Sequence, residues 1–117
     1  MGETDPCIFC RIIGREMTAH IVYADDLITA IRDVKPQAPT HILLLPNRHV
    51  SGINDVSEAD RSLLAALLLA APAIAREQGL ADSGYRLVIN QGADGGQSVF
   101  HLHVHLLGGR RMKWPPG

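Results

Sequence analysis

The chain has 117 residues, of which 46% are hydrophobic and 20% are charged, and its formal net charge is −1. This length and composition are typical of one globular domain with a modest core. The near-neutral charge argues against a polybasic face for nucleic acid or for a membrane surface. Any anionic ligand therefore has to be held locally, by loops and dipoles.

The first residues, MGETDPCIFC, carry acidic side chains and lack the basic-then-apolar pattern of a secretory signal. The longest apolar run, 63–75, contains Pro72 and is too short to cross a bilayer. We therefore expect a cytoplasmic protein. Cys7 and Cys10 form a CxxC pair, which in a reducing compartment is more typical of a metal pair or a redox pair than of a structural disulfide.

The first predicted elements are short and are separated by turn residues. The segment PCIFCRIIG begins with Pro6 and ends at Gly14, which predicts a short helix. HIVYADD and LITAIRD are β-rich runs around Asp25 and Asp26, and they predict a hairpin. THILLLP is an almost continuous apolar run, so it predicts a central strand that ends at Pro46.

A long apolar helix is predicted next. Ser57 and Asp60 form a capping-box pattern, RSLLAALLLAAPAIAREQG continues the helix, and Gly79 ends it. Pro72 is expected to kink the helix or to break it locally. The middle of the helix is apolar on all sides, whereas a surface helix has one polar face. We therefore expect it to pack against a second copy in a homodimer; the alternative, a deep core, is hard to build in so short a chain.

The remaining segments complete the fold class. YRLVIN predicts a strand, QGADGGQS a loop, VFHLHVHLLGG the last strand and GGRRMKWPPG an irregular tail. The order of strands, helix and strands lacks βαβ alternation. It favours a single α+β domain over residues 1–117 with an antiparallel sheet, in which 1–14 holds the N-terminal helix and 110–117 the tail.

The predicted last strand carries histidines at alternate positions. Strand side chains alternate between faces, so His101, His103 and His105 should share one face, with neighbours roughly 7 Å apart. The apolar residues between them are expected to face the core: Leu102, Val104 and Leu106. Two chemistries stay open at this point. Imidazole is the commonest metal ligand, and one imidazole supported by others can also act as a nucleophile.

The loop before this strand, GADGGQS, holds three glycines and ends in Ser98. Small residues allow backbone N–H groups to approach an anion closely. A phosphate cradle beside a row of histidines indicates phosphoryl or nucleotidyl chemistry, although a tight connection between strands is the alternative.

The heptapeptide HLHVHLL resembles the HxHxHxx signature of the histidine triad (HIT) superfamily. The longer segments DVKPQAPTHILLLPNRHV, YRLVINQGADGGQSVFHLHVHLLGGRRM and WPPG are similar to the Hint branch, the histidine triad nucleotide-binding proteins, in the expected order and over nearly the whole chain. The resemblance implies a five-stranded antiparallel sheet with two helices, assembled as a homodimer. It also implies hydrolysis of purine nucleoside phosphoramidates and aminoacyl adenylates, without a catalytic metal.

The resemblance further implies catalytic roles for four residues. His103 is the nucleophile, which attacks the α-phosphorus and forms a nucleotidyl-imidazole intermediate that water then cleaves. His105 contacts the phosphate and, if it is protonated, stabilises charge on the phosphate oxygens. His41 supports the triad, and Ser98 helps the departing amine.

The same resemblance implies a binding site for a purine nucleotide such as AMP or GMP. The positions that it assigns to the nucleotide are Asp33, Val34, Asn90, Gly96, Gln97, Ser98, His103, His105 and Trp114. Asp33 and Val34 match the ribose and base contacts, and Asn90 with the Gly96–Ser98 turn matches the phosphate contacts. Trp114 lies in the tail that, in relatives, reaches towards the partner subunit's site.

The cysteine pair is not required by the family. Together with His49 and His101, Cys7 and Cys10 offer a Cys₂His₂ set that would close a tetrahedral structural zinc site. The galactose-1-phosphate uridylyltransferases, a related branch, use a similar pattern. In this interpretation His101 is a ligand rather than a catalyst. Buried thiols or a redox pair are the alternatives.

Three other functions stay open from the sequence. A metal-dependent hydrolase would use His101, His103 and His105 together at one ion. A nucleotide-binding regulatory protein would bind AMP with little turnover. A dinucleoside polyphosphate hydrolase would keep the superfamily chemistry on a different substrate.

Overall fold

The structure, a computed structural model, describes residues 6–117, and positions 1–5 of the predicted N-terminal segment lie outside the described residues. Two α-helices and five strands follow one another in this range. In chain order they are α1 (Ile8–Ile13), β1 (Ile21–Ala24), β2 (Ile28–Arg32), β3 (Thr40–Pro46), α2 (Arg61–Glu77), β4 (Tyr85–Val88) and β5 (Val104–Gly108). The strands form one sheet in the order β1-β2-β3-β5-β4, and all neighbours are antiparallel. The predicted α+β class with a five-stranded antiparallel sheet is confirmed.

The predicted hairpin and the predicted central strand are also confirmed. At the turn between β1 and β2, the carboxylate of Asp25 accepts the N–H groups of Leu27 (2.8 Å) and Ile28 (2.9 Å). This side chain therefore replaces backbone partners at the tight turn. β3 lies in the middle of the sheet, paired with β2 on one edge and β5 on the other.

β3 explains why THILLLP is apolar almost throughout. Ile42 and Leu44 belong to the main core, together with the buried face of α2. Leu43 and Leu45 belong to a second cluster on the opposite face of the sheet, together with Phe9 of α1. Strand side chains alternate between faces, so a strand that is covered on both sides is apolar at consecutive positions.

The capping box at Ser57 and Asp60 is present, but it opens a short 3-10 turn, Glu58–Asp60, before the α-helix begins. Of the two outcomes expected at Pro72, the local break is wrong, because α2 runs continuously from Arg61 to Glu77, and the kink stays a prediction. Pro72 is exposed, so the carbonyl that its ring leaves without an N–H partner can be hydrated. Gly79 follows the helix with a φ of 78°, a left-handed conformation that ends helices.

The last strand is shorter than predicted. β5 spans Val104–Gly108, so His101 and His103 precede it and lie outside the ladder. The physical reason is Pro46 at the end of β3, which has no N–H to donate, while its carbonyl accepts Nε2–H of His101 at 2.8 Å. The expectation for the apolar residues between the histidines is confirmed, because all three are buried in the main core: Leu102, Val104 and Leu106.

The tail from Gly109 contains neither helix nor strand, as expected. It lies along the sheet, where the guanidinium of Arg86 donates to the carbonyl of Lys113 at 2.8 Å. Within residues 6–117 no helix is both long enough and apolar enough to cross a membrane.

Candidate active site

A cavity of about 380 Å³ opens on the α1 side of the sheet. Helix α1, the end of β2, the middle of β3 and the start of β5 supply its walls. Most of the wall is apolar, from Phe9, Ile12, Met17, Ile31, Leu43 and Val99. The polar groups that line it include Asp33, Ser98, His103 and His105. An apolar cleft with a few convergent polar groups is typical of a small-molecule site.

The imidazole of His103 has a defined tautomer. Its Nδ1 lies 2.7 Å from the backbone carbonyl of His101, and a carbonyl can only accept a hydrogen bond. The proton of the neutral ring is therefore on Nδ1, and Nε2 keeps its lone pair. His103 lines the cavity with a side chain that is otherwise buried, so Nε2 is the nucleophilic atom of this ring.

A chain of hydrogen bonds also fixes the tautomers of His41 and His105. The N–H of Gln37 donates to Nδ1 of His41 at 3.0 Å, so the His41 proton is on Nε2. This Nε2–H lies 2.8 Å from Nδ1 of His105 and donates to it. The His105 proton is therefore on Nε2, where it is left to bind an oxygen in the cavity.

Both rings of this chain are neutral at neutral pH. Burial, with smaller contributions from the neighbouring His103 and His41, lowers the pKa of His105 to about 4, and Asp33 acts in the opposite direction. Burial also lowers the pKa of His41, although the Asp33 carboxylate, 3.4 Å from Nε2, opposes this change. His105 therefore offers a neutral N–H donor, and the imidazolium considered from the sequence is not its form here.

The loop before the histidines is held by the side chain of Gln97, which is only 7% exposed. Its Oε1 accepts the N–H of Gly92 at 2.9 Å. Its Nε2 donates to the carbonyls of Ser51 (2.8 Å) and Val99 (3.1 Å). One carboxamide thus joins the start and the end of the loop to the segment after β3, so its position relative to the cavity is well defined.

Most of the backbone hydrogen bonds of this loop are made within the loop itself. The N–H groups of Gly96 and Gln97 donate to the carbonyls of Ala93 and Gly92, each at 3.0 Å, and Nδ2 of Asn90 donates to the carbonyl of Gly95 at 2.7 Å. A Cβ on Gly95 would lie 2.3 Å from the carbonyl oxygen of Gln91, so the turn requires glycine there.

Ser98 differs from its neighbours in this loop. Its side chain is exposed and lines the cavity, and no group among residues 6–117 bonds to its N–H or its hydroxyl. This part of the loop therefore keeps donors for a ligand.

Two further predicted residues lie at the cavity and one lies away from it. Asp33 and Val34 line its rim; Oδ1 of Asp33 accepts the N–H of Lys35 at 2.8 Å, and Val34 is 91% exposed. Trp114 is 81% exposed in the tail and does not line the cavity of its own chain. The structure therefore gathers His103, His105, Asp33, Val34 and Ser98 at the cavity. The predicted positions Asn90, Gly96, Gln97 and Trp114 do not line it.

The predicted metal ligands form a second cluster next to the cavity. One ligand atom from each of Cys7, Cys10, His49 and His101 lies within 4.8 Å of all the others. Nδ1 of His101 is 3.4 Å from Sγ of Cys7 and 3.6 Å from Sγ of Cys10, and Nδ1 of His49 is 3.3 Å from Sγ of Cys10. Around a tetrahedral zinc, a nitrogen and a sulfur ligand are about 3.5 Å apart, so the four residues fit a metal of this kind.

The three histidines of the triad do not converge on one ion. His101 directs Nδ1 at the cysteines and Nε2 at the carbonyl of Pro46, so it faces away from the cavity. Among residues 6–117, the other group placed to share a metal is Asp33, His41 and His105, whose hydrogen bonds are described above. The arrangement gives no support to a metal site made of His101, His103 and His105.

The apolar wall of the cavity was missed by the reasoning from motifs. Phe9 and Ile12 on α1, and Leu43 on β3, carry no chemical signature of their own. The sequence gives two indications of this wall. THILLLP is apolar on both faces of the strand, and the short helix that carries the cysteines has apolar residues at helical spacing. Those two features predict a small apolar cluster on the histidine side of the sheet.

Comparison with known proteins identifies the family of this chain. The model of the HIT domain matches residues 14–112. The chain belongs to the HIT family. This HIT protein is 52% identical over 114 residues to an uncharacterised HIT-like protein of Synechococcus elongatus, covering 97% of this chain and 99% of that protein. It is also 52% identical over 105 residues to the purine nucleoside phosphoramidase of Escherichia coli K12, covering 90% and 88%.

Solved structures of the family have the same fold. A HIT family hydrolase of Legionella pneumophila superposes with a TM-score of 0.93 at 51% identity, covering 95% of this HIT protein and 99% of that chain. A histidine triad protein of Clostridium difficile superposes with a TM-score of 0.90 at 37% identity, covering 95% and 96%. The predicted membership of the histidine triad superfamily is confirmed.

Proposed function

We propose that this chain is a purine nucleoside phosphoramidase that hydrolyses nucleoside 5′-phosphoramidates and aminoacyl adenylates through a covalent nucleotidyl-histidine. The observation that carries the proposal is the 2.7 Å hydrogen bond from Nδ1–H of His103 to the carbonyl of His101, which leaves Nε2 as a nucleophile at the cavity. The similarity to the Escherichia coli phosphoramidase and to the Legionella pneumophila hydrolase supports it.

In the first step, the lone pair on Nε2 of His103 attacks the α-phosphorus. The phosphorus–nitrogen bond of the substrate breaks, and its electron pair stays on the amine nitrogen. The amine leaves with a proton, and in this proposal the hydroxyl of Ser98 at the cavity wall donates it. The Nε2–H of His105 donates to a phosphate oxygen and stabilises the charge that develops there.

In the second step, water attacks the phosphorus of the nucleotidyl-histidine. The bond from phosphorus to Nε2 breaks, His103 recovers its lone pair, and the nucleoside monophosphate leaves. One proton of the attacking water returns to the oxygen of Ser98, so the net reaction adds water across the phosphorus–nitrogen bond. Two displacements at one nitrogen replace a single difficult attack by water.

The cavity provides for both parts of the nucleotide. Its apolar wall suits the faces of a purine, such as that of AMP or GMP, and Val34 contacts the base in this proposal. The Asp33 carboxylate accepts from the ribose hydroxyls. Asn90, Gly96 and Gln97 hold the loop whose Ser98 end contacts the phosphate.

We also propose that the Cys₂His₂ cluster holds a structural zinc, and that no metal takes part in the chemistry. Zinc at Cys7, Cys10, His49 and His101 supplies cross-links between α1, the segment after β3 and the triad.

A homodimer is part of the same proposal. Leu68 on α2 is 47% exposed and Leu69 is 71% exposed, and Leu87 on the edge strand β4 is 38% exposed. Leu87 pairs with the buried Leu106, so it lies on the α2 side of the sheet. A second copy on this face would cover these side chains and bring its Trp114 near the site. The cytoplasmic location stays a prediction.

The decisive experiment compares His103→Ala with His20→Ala, an exposed histidine that does not line the cavity. Adenosine 5′-phosphoramidate is the substrate, AMP release is measured, and the intact protein is weighed during turnover. We expect His103→Ala to lose turnover by at least about a thousandfold and to lose the nucleotidyl adduct, while His20→Ala behaves as wild type.

Other outcomes of this experiment discriminate between functions. Normal turnover by His103→Ala would overturn the nucleophile assignment. AMP binding without turnover by the wild-type chain would favour a regulatory binding protein. Faster hydrolysis of a diadenosine polyphosphate than of the phosphoramidate would favour the polyphosphate hydrolase.

A further inference from the structure

We infer that the metal cluster positions the nucleophile, so that the bound metal controls turnover through His101. The inference rests on the structural zinc of the proposed function and goes beyond it, and only its activity measurements depend on the proposed phosphoramidase reaction. It assigns His101 as a positioning residue and the Cys₂His₂ cluster as a control point for the neighbouring site.

The first observation is that His101 belongs to the metal cluster and also contacts the nucleophile, His103. The ring of His101 is fully buried, with Nδ1 directed at the sulfurs of Cys7 and Cys10 and Nε2 donating to the carbonyl of Pro46. The backbone carbonyl of the same residue accepts Nδ1–H of His103 at 2.7 Å. A metal on Nδ1 therefore restrains the residue that sets the tautomer and the orientation of the nucleophile.

The second observation is that the side chain of Phe9 also connects the cysteine segment to the nucleophile. Phe9 lies between the two cysteines in sequence, and its ring is edge-on both to His101 (centroids 5.8 Å apart) and to His103 (5.2 Å apart). Phe9 is 6% exposed and also lines the cavity. Any movement of the cysteine segment therefore reaches the nucleophile through a side chain as well as through the backbone.

The third observation is that the segment carrying the cysteines is weak by itself. α1 has six residues, and helices of this length are marginal without tertiary support. Cys7 caps the helix, because its Sγ accepts the N–H of Cys10 at 3.4 Å. Ligation of both sulfurs would hold the helix against the cavity, and loss of the metal would release the wall and the ring of Phe9 together.

His49 allows a test that leaves the catalytic machinery intact. Its side chain is exposed and does not line the cavity. Its contacts are with the cluster, where Nδ1 lies 3.3 Å from Sγ of Cys10 and the ring is edge-on to His101. His49→Ala removes one ligand. His49→Cys replaces it by another zinc ligand and should restore metal binding as a Cys₃His set.

The experiment uses the full chain with zinc added, and again after a chelator has removed it. Bound zinc per chain is measured by native mass spectrometry. The ring Nδ1–H of His103 is followed by nuclear magnetic resonance, with His103→Ala to identify the signal, and exchange of the amides of 8–13 is followed in deuterium oxide. These measurements do not depend on any activity.

With zinc, we expect a slowly exchanging Nδ1–H on His103 and protected α1 amides in the wild type and in His49→Cys. After chelation, or in His49→Ala, that signal should broaden and the amides should exchange faster. In the phosphoramidase assay kcat should fall by about tenfold or more, while KM should change by less than about threefold.

Two results would overturn the inference. One is a chain that binds no zinc at this cluster. The other is an unchanged His103 signal, together with an unchanged kcat, after zinc has been removed. If the wild type has no phosphoramidase activity at all, the proposed function fails, but the resonance and exchange measurements still decide whether the cluster controls His103.

Discussion

Nε2 of His41 lies 2.8 Å from Nδ1 of His105, and this hydrogen bond decides which proton His105 presents to the cavity. Because the N–H of Gln37 occupies the other nitrogen of His41, the donor in this bond is His41. The pair therefore works as a fixed chain of two neutral rings. Its purpose in the proposed reaction is a correctly oriented N–H donor at the phosphate, without an imidazolium in a buried site.

Removal of His41 should release this orientation. We expect His41→Ala to lower kcat by about tenfold, because His105 can then adopt the other tautomer and lose its donor. His41→Gln is the matched variant, since its amide can still donate from nearly the same position, and its loss should be smaller. Steady-state assays with the phosphoramidate give both values. Equal losses in the two variants would contradict the orienting role.

The low pKa of His105 predicts a pH-dependent stability. Its pKa is about 4 in the folded chain, against 6.5 as the ordinary value. Between these two values the unfolded state binds more protons than the folded state, so the free energy of unfolding rises with pH. The contribution of His105 to stability is therefore complete above about pH 6.5 and is lost as the pH falls towards 4. We expect His105→Asn to reduce this loss by roughly 1–2 kcal/mol, allowing for solvent screening. Urea unfolding at several pH values measures it, and an identical pH slope in the variant would count against the assignment.

Asp33 is expected to recognise ribose. In Asp33→Asn the preference of kcat/KM for a ribonucleoside phosphoramidate over its 2′-deoxy analogue should shrink by about tenfold, the value of one charged hydrogen bond. The same variant keeps an oxygen for the N–H of Lys35, so the turn should remain intact. Competition between the two substrates gives the ratio directly. A preference that stays at the wild-type value would show that the carboxylate does not bind the sugar.

Gln97 should contribute to stability as well as to the loop. Gln97→Ala removes a buried carboxamide and leaves three partly buried backbone groups without its hydrogen bonds, so we expect the free energy of unfolding to fall by about 2 kcal/mol. Gln91→Ala is the control in the same loop, because within the described range 6–117 Oε1 of Gln91 accepts only the exposed N–H of Asn54 (3.0 Å). It should cost less than about 1 kcal/mol. The two variants are compared by urea unfolding, and the reverse order would refute the clamp.

The exposed apolar face should mediate the proposed dimer. Leu68→Glu combined with Leu87→Glu places two charges on that face and should give a monomer in light scattering. Leu27→Glu tests how far this face extends, since Leu27 is 46% exposed and lies in the turn whose Asp25 lines a cleft together with Leu69. A wild-type chain that is already monomeric would reject the dimer.

Much of the fold followed from local patterns that tertiary structure did not override. THILLLP is the central strand, and the CxxC pair, His49 and His101 come together as the four proposed metal ligands. The extent of the last strand did not follow, because alternation of apolar residues continues through an extended segment whether or not a neighbour is paired with it. Leu102 donates its N–H to the carbonyl of Val50 outside the ladder, which no pattern in VFHLHVH reveals.

The site was predictable where a residue carries its own chemistry, and less so where it depends on long-range contacts. His103 and His105 were assigned from the motif and Asp33 from the family resemblance, and all three line the cavity. The neutral state of His105 depends on how deeply the sheet and α1 bury it, which residue spacing cannot report. The clamp made by Gln97 depends on Ser51, a residue 46 positions away in the chain.

The alternation along β3 gives adjacent positions of one strand different surroundings. Leu43 and Leu45 pack with Phe9 on the α1 side, and Leu43 also lines the cavity, whereas Ile42 and Leu44 face α2 and the main core. A redesign of substrate preference can therefore begin at Leu43 and leave the main core untouched, whereas changes at Ile42 and Leu44 alter how well the fold survives heating.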